Sequence, residues 1–213
     1  MFNMHFDKLR TLLCLGAHAD DIEIGCGGTV LRLLAEHPNV QVHWVVLSAR
    51  DERASEATRS AEMFLGAAGT QNLVLHTFRD SFFPYEGAAL KQVFHELSQD
   101  IVPDVVLTHR LEDRHQDHRL VAELTWNTFR DHLILEYDIP KYEGDLGAPN
   151  VFVPLERTLC HQKIETIVET FVTQNTKPWF AKDTFWSLLR LRGLECNSPT
   201  HLAEGLYCRK MTL

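Results

Sequence analysis

Along this chain the apolar positions change spacing again and again, and each change marks the passage from a strand to a helix. Largely apolar runs at 12–17, 40–47, 72–75 and 105–108 have the length of strands buried on both faces. Between them the spacing widens to that of a helix with one apolar face. Helices are predicted over 27–36, over 52–65 through Ala54, Ala57, Ala61, Met63 and Phe64, from Tyr85 or Leu90 to Ile101, and over 115–130 through Leu120, Val121 and Leu124. Strand and helix in strict alternation predict an α/β fold, a mostly parallel sheet with helices on both faces. Beyond residue 131 the pattern loosens. Short strands at 133–137 and 151–154 flank a turn-rich loop, 139–150, and a helix over 159–174 sets Ile164, Ile167, Val168 and Phe171 on one face. There is no repeat, low-complexity tract or linker, so one domain over 1–213 is the simplest organisation.

Ionisable residues collect where two of these strands end. His18-Ala-Asp20-Asp21 follows the first, with Gly25-Cys26-Gly27-Gly28-Thr29 behind it. His109 to His118 follows the fourth and contains Asp113, His115, Asp117 and His118. In open α/β sheets, ligands bind at this edge, outside the carboxyl ends of the strands. Catalytic zinc usually keeps three N or O ligands. His18 and Asp21, three apart on a tight turn, could both reach one ion, and His118 is the natural third ligand. Asp20 could take a proton from a water whose pKa such an ion lowers toward ~7. His115 shares a helix face with His118 and could face a carbonyl oxygen as a cation. Asp117 could accept its other N–H. Each cluster has a plainer reading: Asp21 as a helix cap, His-x-x-His as a surface pair, the glycines as close packing. Their joint occurrence at two strand ends favours the metal. Cys26 reads as packing rather than as a ligand. No Gly-x-Gly-x-x-Gly or Gly-x-x-x-x-Gly-Lys-[Ser/Thr] occurs, which argues against a nucleotide-binding module.

Gly16-Ala-His-Ala-Asp-Asp-Ile-Glu-Ile-Gly-Cys-Gly-Gly-Thr29 and His115-Gln-Asp-His118 resemble the two signature motifs of the PIG-L/LmbE-like deacetylases. Arg53-Ala-Ser-Glu56 through Leu65-Gly66, then Arg192-Gly193 and Ala203-Glu204, resemble the family more loosely. The resemblance implies a Rossmann-like three-layer sandwich and an enzyme that uses one Zn2+ per chain. Its substrate would be an N-acetylglucosamine-type sugar or sugar conjugate, from which it removes an acetyl group. It also implies that His18, Asp21 and His118 hold the metal, that Asp20 is the general base, and that His115 acts on the oxyanion with Asp117 orienting it. Ala19 stands where the family commonly has Pro, and Asp113 where some members have Tyr. The runner-up is a metal-dependent amidase or esterase using the same centre on a non-sugar substrate.

Composition narrows the partners. A net charge of -8, from 21 basic and 29 acidic residues, argues against broad binding to nucleic acid. No run approaches ~18 consecutive apolar residues, so no membrane span is expected. Residues 1–10 lack the apolar core of a signal peptide, and five scattered cysteines fit reduced thiols. The expected location is the cytoplasm. Arg50 and Arg53 are candidate substrate contacts, although Arg53 could equally pair with Glu56. The segments 79–85 and 177–186 could wall a carbohydrate cleft. For Trp179, Phe180, Phe185 and Trp186 taken singly, burial is the simpler reading. An aromatic C-terminal third is compatible with a homo-oligomer.

Overall fold

The computed structural model describes residues 5–66 and 70–212. Its strands are β1 (Thr11–His18), β2 (Gln41–Ser48), β3 (Thr70–Leu75), β4 (Val105–His109), β5 (Leu133–Tyr137), β6 (Val151–Pro154) and β7 (Ala203–Cys208). Its helices are α1 (Asp21–Glu36), α2 (Glu52–Leu65), α3 (Gly87–Asp100), α4 (Gln116–Thr128), α5 (Arg157–Thr170) and α6 (Lys182–Glu195), with short 3-10 turns at Phe83–Tyr85 and Val172–Gln174. The strands form one sheet in the order β3-β2-β1-β4-β5-β7-β6. The first five run parallel, and β7 pairs antiparallel with both β5 and β6. Among the described residues no helix is long and apolar enough to cross a membrane.

Side chains alternate across a strand, and the core divides accordingly. Leu12, Cys14, Trp44 and Val46 face a cluster completed by α1, α2, α5 and α6. Leu13, Leu15, Val45 and Leu47 face the other cluster, completed by α3 and α4. The result is the three-layer α/β sandwich expected from the alternation. Cys14 is fully buried, whereas Cys208 lies half-buried on β7.

The first helix departs most from expectation. It starts at Asp21 rather than near residue 27, and it is broken at Cys26, whose φ of -145° and ψ of 16° are not helical. A break inside the core orphans backbone groups that must find other partners. Glu204 on β7 accepts from the N–H groups of Gly28 at 2.8 Å and Thr29 at 2.6 Å, and from the Thr29 hydroxyl at 2.6 Å. Lys163 on α5 donates to the Ile24 carbonyl at 2.7 Å and to Glu204 at 2.6 Å. One buried ion pair therefore splices the helix from both sides. The glycines are packing residues: a Cβ at Gly25 would lie 2.1 Å from the Tyr137 ring, and one at Gly28 2.4 Å from Leu155.

Helix α6 and strand β7 are absent from the sequence reading. In α6 the buried Phe185 and Leu189 are mixed with the exposed Leu191 and Leu194, which blurs the helical stripe. In β7 the buried Glu204 and the following Gly205 interrupt the apolar run.

Candidate metal centre and active site

Strands β1 and β4 are neighbours in the sheet, so their carboxyl ends open onto the same edge. β1 ends at His18, and the chain turns through Ala19 and the buried Asp20 into Asp21. β4 ends at His109, and a turn over 110–115 leads to α4, with His115 at its N-cap. The fold thus brings the two polar clusters of the sequence together.

Three donor atoms converge there. His18 Nδ1 lies 3.1 Å from His118 Nε2 and 3.3 Å from Asp21 Oδ2, and His118 Nε2 lies 3.5 Å from Asp21 Oδ2. Tetrahedral ligands ~2.0–2.1 Å from a zinc-sized ion stand ~3.3–3.4 Å apart, so the triangle has the size and donor set to hold a metal ion. The remaining ring nitrogens are held by carboxylates. His118 Nδ1 lies 3.0 Å from Asp113 Oδ2, and His18 Nε2 lies 3.1 Å from Asp117 Oδ2 and 3.3 Å from Asp80 Oδ1. Carboxylates placed behind histidines in this way fix the tautomer and ring orientation of metal ligands. Cys26 lies outside the cluster; its buried thiol donates to the Ile22 carbonyl at 3.4 Å.

One expectation is corrected. Asp117 does not accept a hydrogen bond from the His115 ring. Its carboxylate takes the N–H groups of Ser81 at 2.6 Å and Phe83 at 3.1 Å and faces His18. His115 Nδ1 instead accepts from the backbone N–H of Asp117 at 3.3 Å, as an N-cap. The helix start dictates this, because a capping side chain folds back onto the first turn. An imidazole accepting at Nδ1 carries its proton on Nε2 and is neutral. Burial and the neighbouring His18 charge both lower its pKa, so the expected cation gives way to a neutral donor. The arginines have partners within the chain. Arg53 is engaged by Asp20 Oδ1 at 2.7 Å, with Thr173 Oγ1 at 3.3 Å and Glu56, the partner weighed from sequence, at 3.7 Å. Arg50 donates Nε to the Thr77 carbonyl at 2.6 Å.

Charge is unevenly shared within the cluster. Burial disfavours the His18 cation, but Asp21, Asp117 and Asp80 outweigh it and hold its pKa well above the usual value. Burial works against the Asp21 carboxylate too, and His118, His109 and His18 overcome it and hold it ionised. Burial together with His109 pushes His118 down to about 3.

Three residues of the site had no role assigned from sequence. Asp113 and Asp80 are the carboxylates behind His118 and beside His18. The third, His109, is fully buried and stacks on His118 with ring centroids 4.0 Å apart. Its Nε2 lies 3.0 Å from the Ala17 N–H and 3.1 Å from Asp21 Oδ2. Position at the strand-end edge was the available signal for all three. Of the suspected walls, Phe180 and Phe185 are buried, and Trp179 and Trp186 pack partly against the core. The 79–85 segment does reach the site, through Asp80 and Ser81.

A family model described as PIG-L, GlcNAc-PI de-N-acetylase, matches residues 13–129. The uncharacterized deacetylase YaiS of Escherichia coli strain K12 is 27% identical over 146 residues, which cover 63% of this chain and 76% of that protein. The N,N'-diacetylchitobiose deacetylase of Pyrococcus horikoshii superposes with a TM-score of 0.69 at 20% identity, over 95% of this chain and 85% of that one. GalB, the 4-carboxy-2-hydroxymuconate hydratase of Pseudomonas putida KT2440, does so with a TM-score of 0.77 at 16% identity, over 96% and 98%. A deacetylase and a hydratase thus share this fold, and the reaction has to be argued from the site.

Proposed function

The chain belongs to the PIG-L family of de-N-acetylases, and we propose that it uses one zinc ion to remove the acetyl group from an N-acetylglucosamine-type sugar or sugar conjugate. The observation that carries this reading is the triangle of His18 Nδ1, Asp21 Oδ2 and His118 Nε2, with sides of 3.1 to 3.5 Å. These three residues would hold the ion. When bound, it supplies a Lewis acid for the acetyl carbonyl and for a water at the same centre.

The chain's own groups handle the proton and the developing charge. Asp20 is adjacent to the ligand Asp21 but outside the triangle, and Arg53 fixes one of its oxygens at 2.7 Å. Its other oxygen accepts a proton from the attacking water. His115, protonated on Nε2, donates to the oxygen of the tetrahedral intermediate. Asp20 then returns the proton to the departing amine, so that water adds across the amide to give acetic acid and the free amine. Asp117 acts one layer out, holding His18 and the 81–83 backbone in register.

Elemental analysis of the purified protein tests the site, with about one zinc per chain expected and loss in His118→Ala and Asp21→Ala. Full occupancy in both variants would overturn the ligand assignment. Acetate release from N-acetylglucosamine and N,N'-diacetylchitobiose tests the substrate. Turnover of acylated amino compounds or esters, with none of the sugars, would replace the sugar reading by the amidase or esterase alternative.

A further inference from the structure

We propose that Lys141 is a positioning residue that sets zinc affinity by acting through Asp113 on His118, an inference that rests on the zinc-site reading above. Lys141 lies in the turn-rich 139–150 loop, and its Nζ bridges two carboxylates. It stands 3.0 Å from Asp113 Oδ2 and 2.8 and 2.9 Å from the two oxygens of Asp145, with the Ile139 carbonyl at 3.4 Å. The three side chains are 8%, 2% and 6% exposed, so water contributes little to the cluster.

Both carboxylates grip the turn that delivers α4. Asp113 Oδ1 accepts the His115 N–H at 2.8 Å, Asp145 Oδ2 accepts the Arg114 N–H at 2.7 Å, and Asp113 Oδ2 faces His118 Nδ1 at 3.0 Å. An ionised carboxylate only accepts, so His118 must donate from Nδ1 and present the Nε2 lone pair to the metal. Lys141 grips that same Oδ2 at 3.0 Å from the other side, and its second anchor on Asp145 locks the loop against the turn, so the carboxylate stays aimed at the ring. One ammonium therefore fixes the tautomer of a metal ligand and the backbone entry to His115.

The test is zinc affinity, measured by competition with a chromophoric chelator on the wild type, Lys141→Met, Lys141→Arg and His118→Ala, with apoprotein melting temperatures alongside. Loss of an outer partner of a metal ligand typically weakens affinity by about 10–100-fold; this is expected for Lys141→Met, with Lys141→Arg close to wild type. In an Asp113→Asn background, Lys141→Met should add little further loss. Wild-type affinity in Lys141→Met, while His118→Ala loses zinc, would overturn this inference alone. Wild-type affinity in His118→Ala as well would overturn the zinc-site reading itself. Equal losses in Lys141→Met and Lys141→Arg, or an unchanged loss in the Asp113→Asn background, would reduce Lys141 to a packing residue and overturn the proposal. Should Lys141→Met not fold, Lys141→Gln, which keeps hydrogen bonding without the charge, carries the same expectation.

Discussion

Glu204→Ala removes one carboxylate from four donors: the N–H groups of Gly28 and Thr29, the Thr29 hydroxyl and the Lys163 ammonium. The Lys163 and Glu204 side chains are 4% and 3% exposed, so solvent does not substitute for the lost acceptor. Removing one partner of a buried ion pair costs about 3–5 kcal/mol, and removing a helix cap about 0.5–2 kcal/mol. The combined loss is roughly 4–6 kcal/mol against a total stability of about 5–15 kcal/mol. In a chain of this size each kcal/mol lowers the melting temperature by about 2–4 °C, so a fall of roughly 10–20 °C is expected. Lys163→Met leaves Glu204 with three donors and should be milder. Lys163→Met combined with Glu204→Gln leaves no unpaired buried charge, and its loss should be smaller than the sum of the Lys163→Met and Glu204→Gln losses. Urea unfolding followed by tryptophan fluorescence measures the wild type, Glu204→Ala and the three variants of the cycle. A Glu204→Ala loss under about 1 kcal/mol, the scale of an ordinary hydrogen bond, or an additive cycle, would show that packing alone holds the break in α1.

Three further outcomes are expected. Asp20→Asn should keep its zinc and its fold while turnover falls by about 10²–10⁴-fold; loss of zinc in this variant, with retention in Asp21→Asn, would reverse the two roles. Asp117→Asn should weaken zinc binding by about 10–100-fold, because the carboxylate it alters faces His18; an unchanged affinity with a displaced alkaline limb of the pH–rate profile would restore its pairing with His115. Glu23 is fully buried with both oxygens unpartnered, and burial, little offset by the nearby Ser60 hydroxyl, pushes its pKa from 4.5 to about 8. The folded state therefore holds a proton that the unfolded chain releases, so the stability associated with it is complete below pH 4.5 and is lost as pH rises through about 8. Denaturant melts from pH 5 to 9 should show Glu23→Gln gaining on the wild type as pH rises, and parallel curves would refute the burial argument.

Much of this fold was legible because burial on both faces writes strands as largely apolar runs. The spans of α2, β5 and β6 agree with their predicted ranges, and the two polar clusters fall at the carboxyl ends of β1 and β4 as expected. What stayed illegible depends on partners distant in sequence. Gly25 to Thr29 reads as close packing and a helix start near residue 27, but the break at Cys26 and its Glu204 partner, 176 positions after Gly28, leave no local sign. Asp117 and His115 sit two apart, which invites a pairing between them. The geometry of the helix start sends the imidazole to the backbone and leaves the carboxylate for a loop and for β1. Asp113, Lys141 and Asp145 carry no motif at all, since their meaning lies in a bridge across 28 positions.

The splice in α1 also imposes an order of manufacture. The carboxylate that completes it lies 176 positions after the first amide it holds. At about 5–20 residues per second, the ribosome needs roughly 10–35 s to make the intervening chain. Over that interval the nascent protein has His18, Asp20 and Asp21 in hand but no Glu204 with which to finish the helix they introduce. The helix that begins at Asp21 is therefore completed only after β7 has emerged, long after its own residues were made.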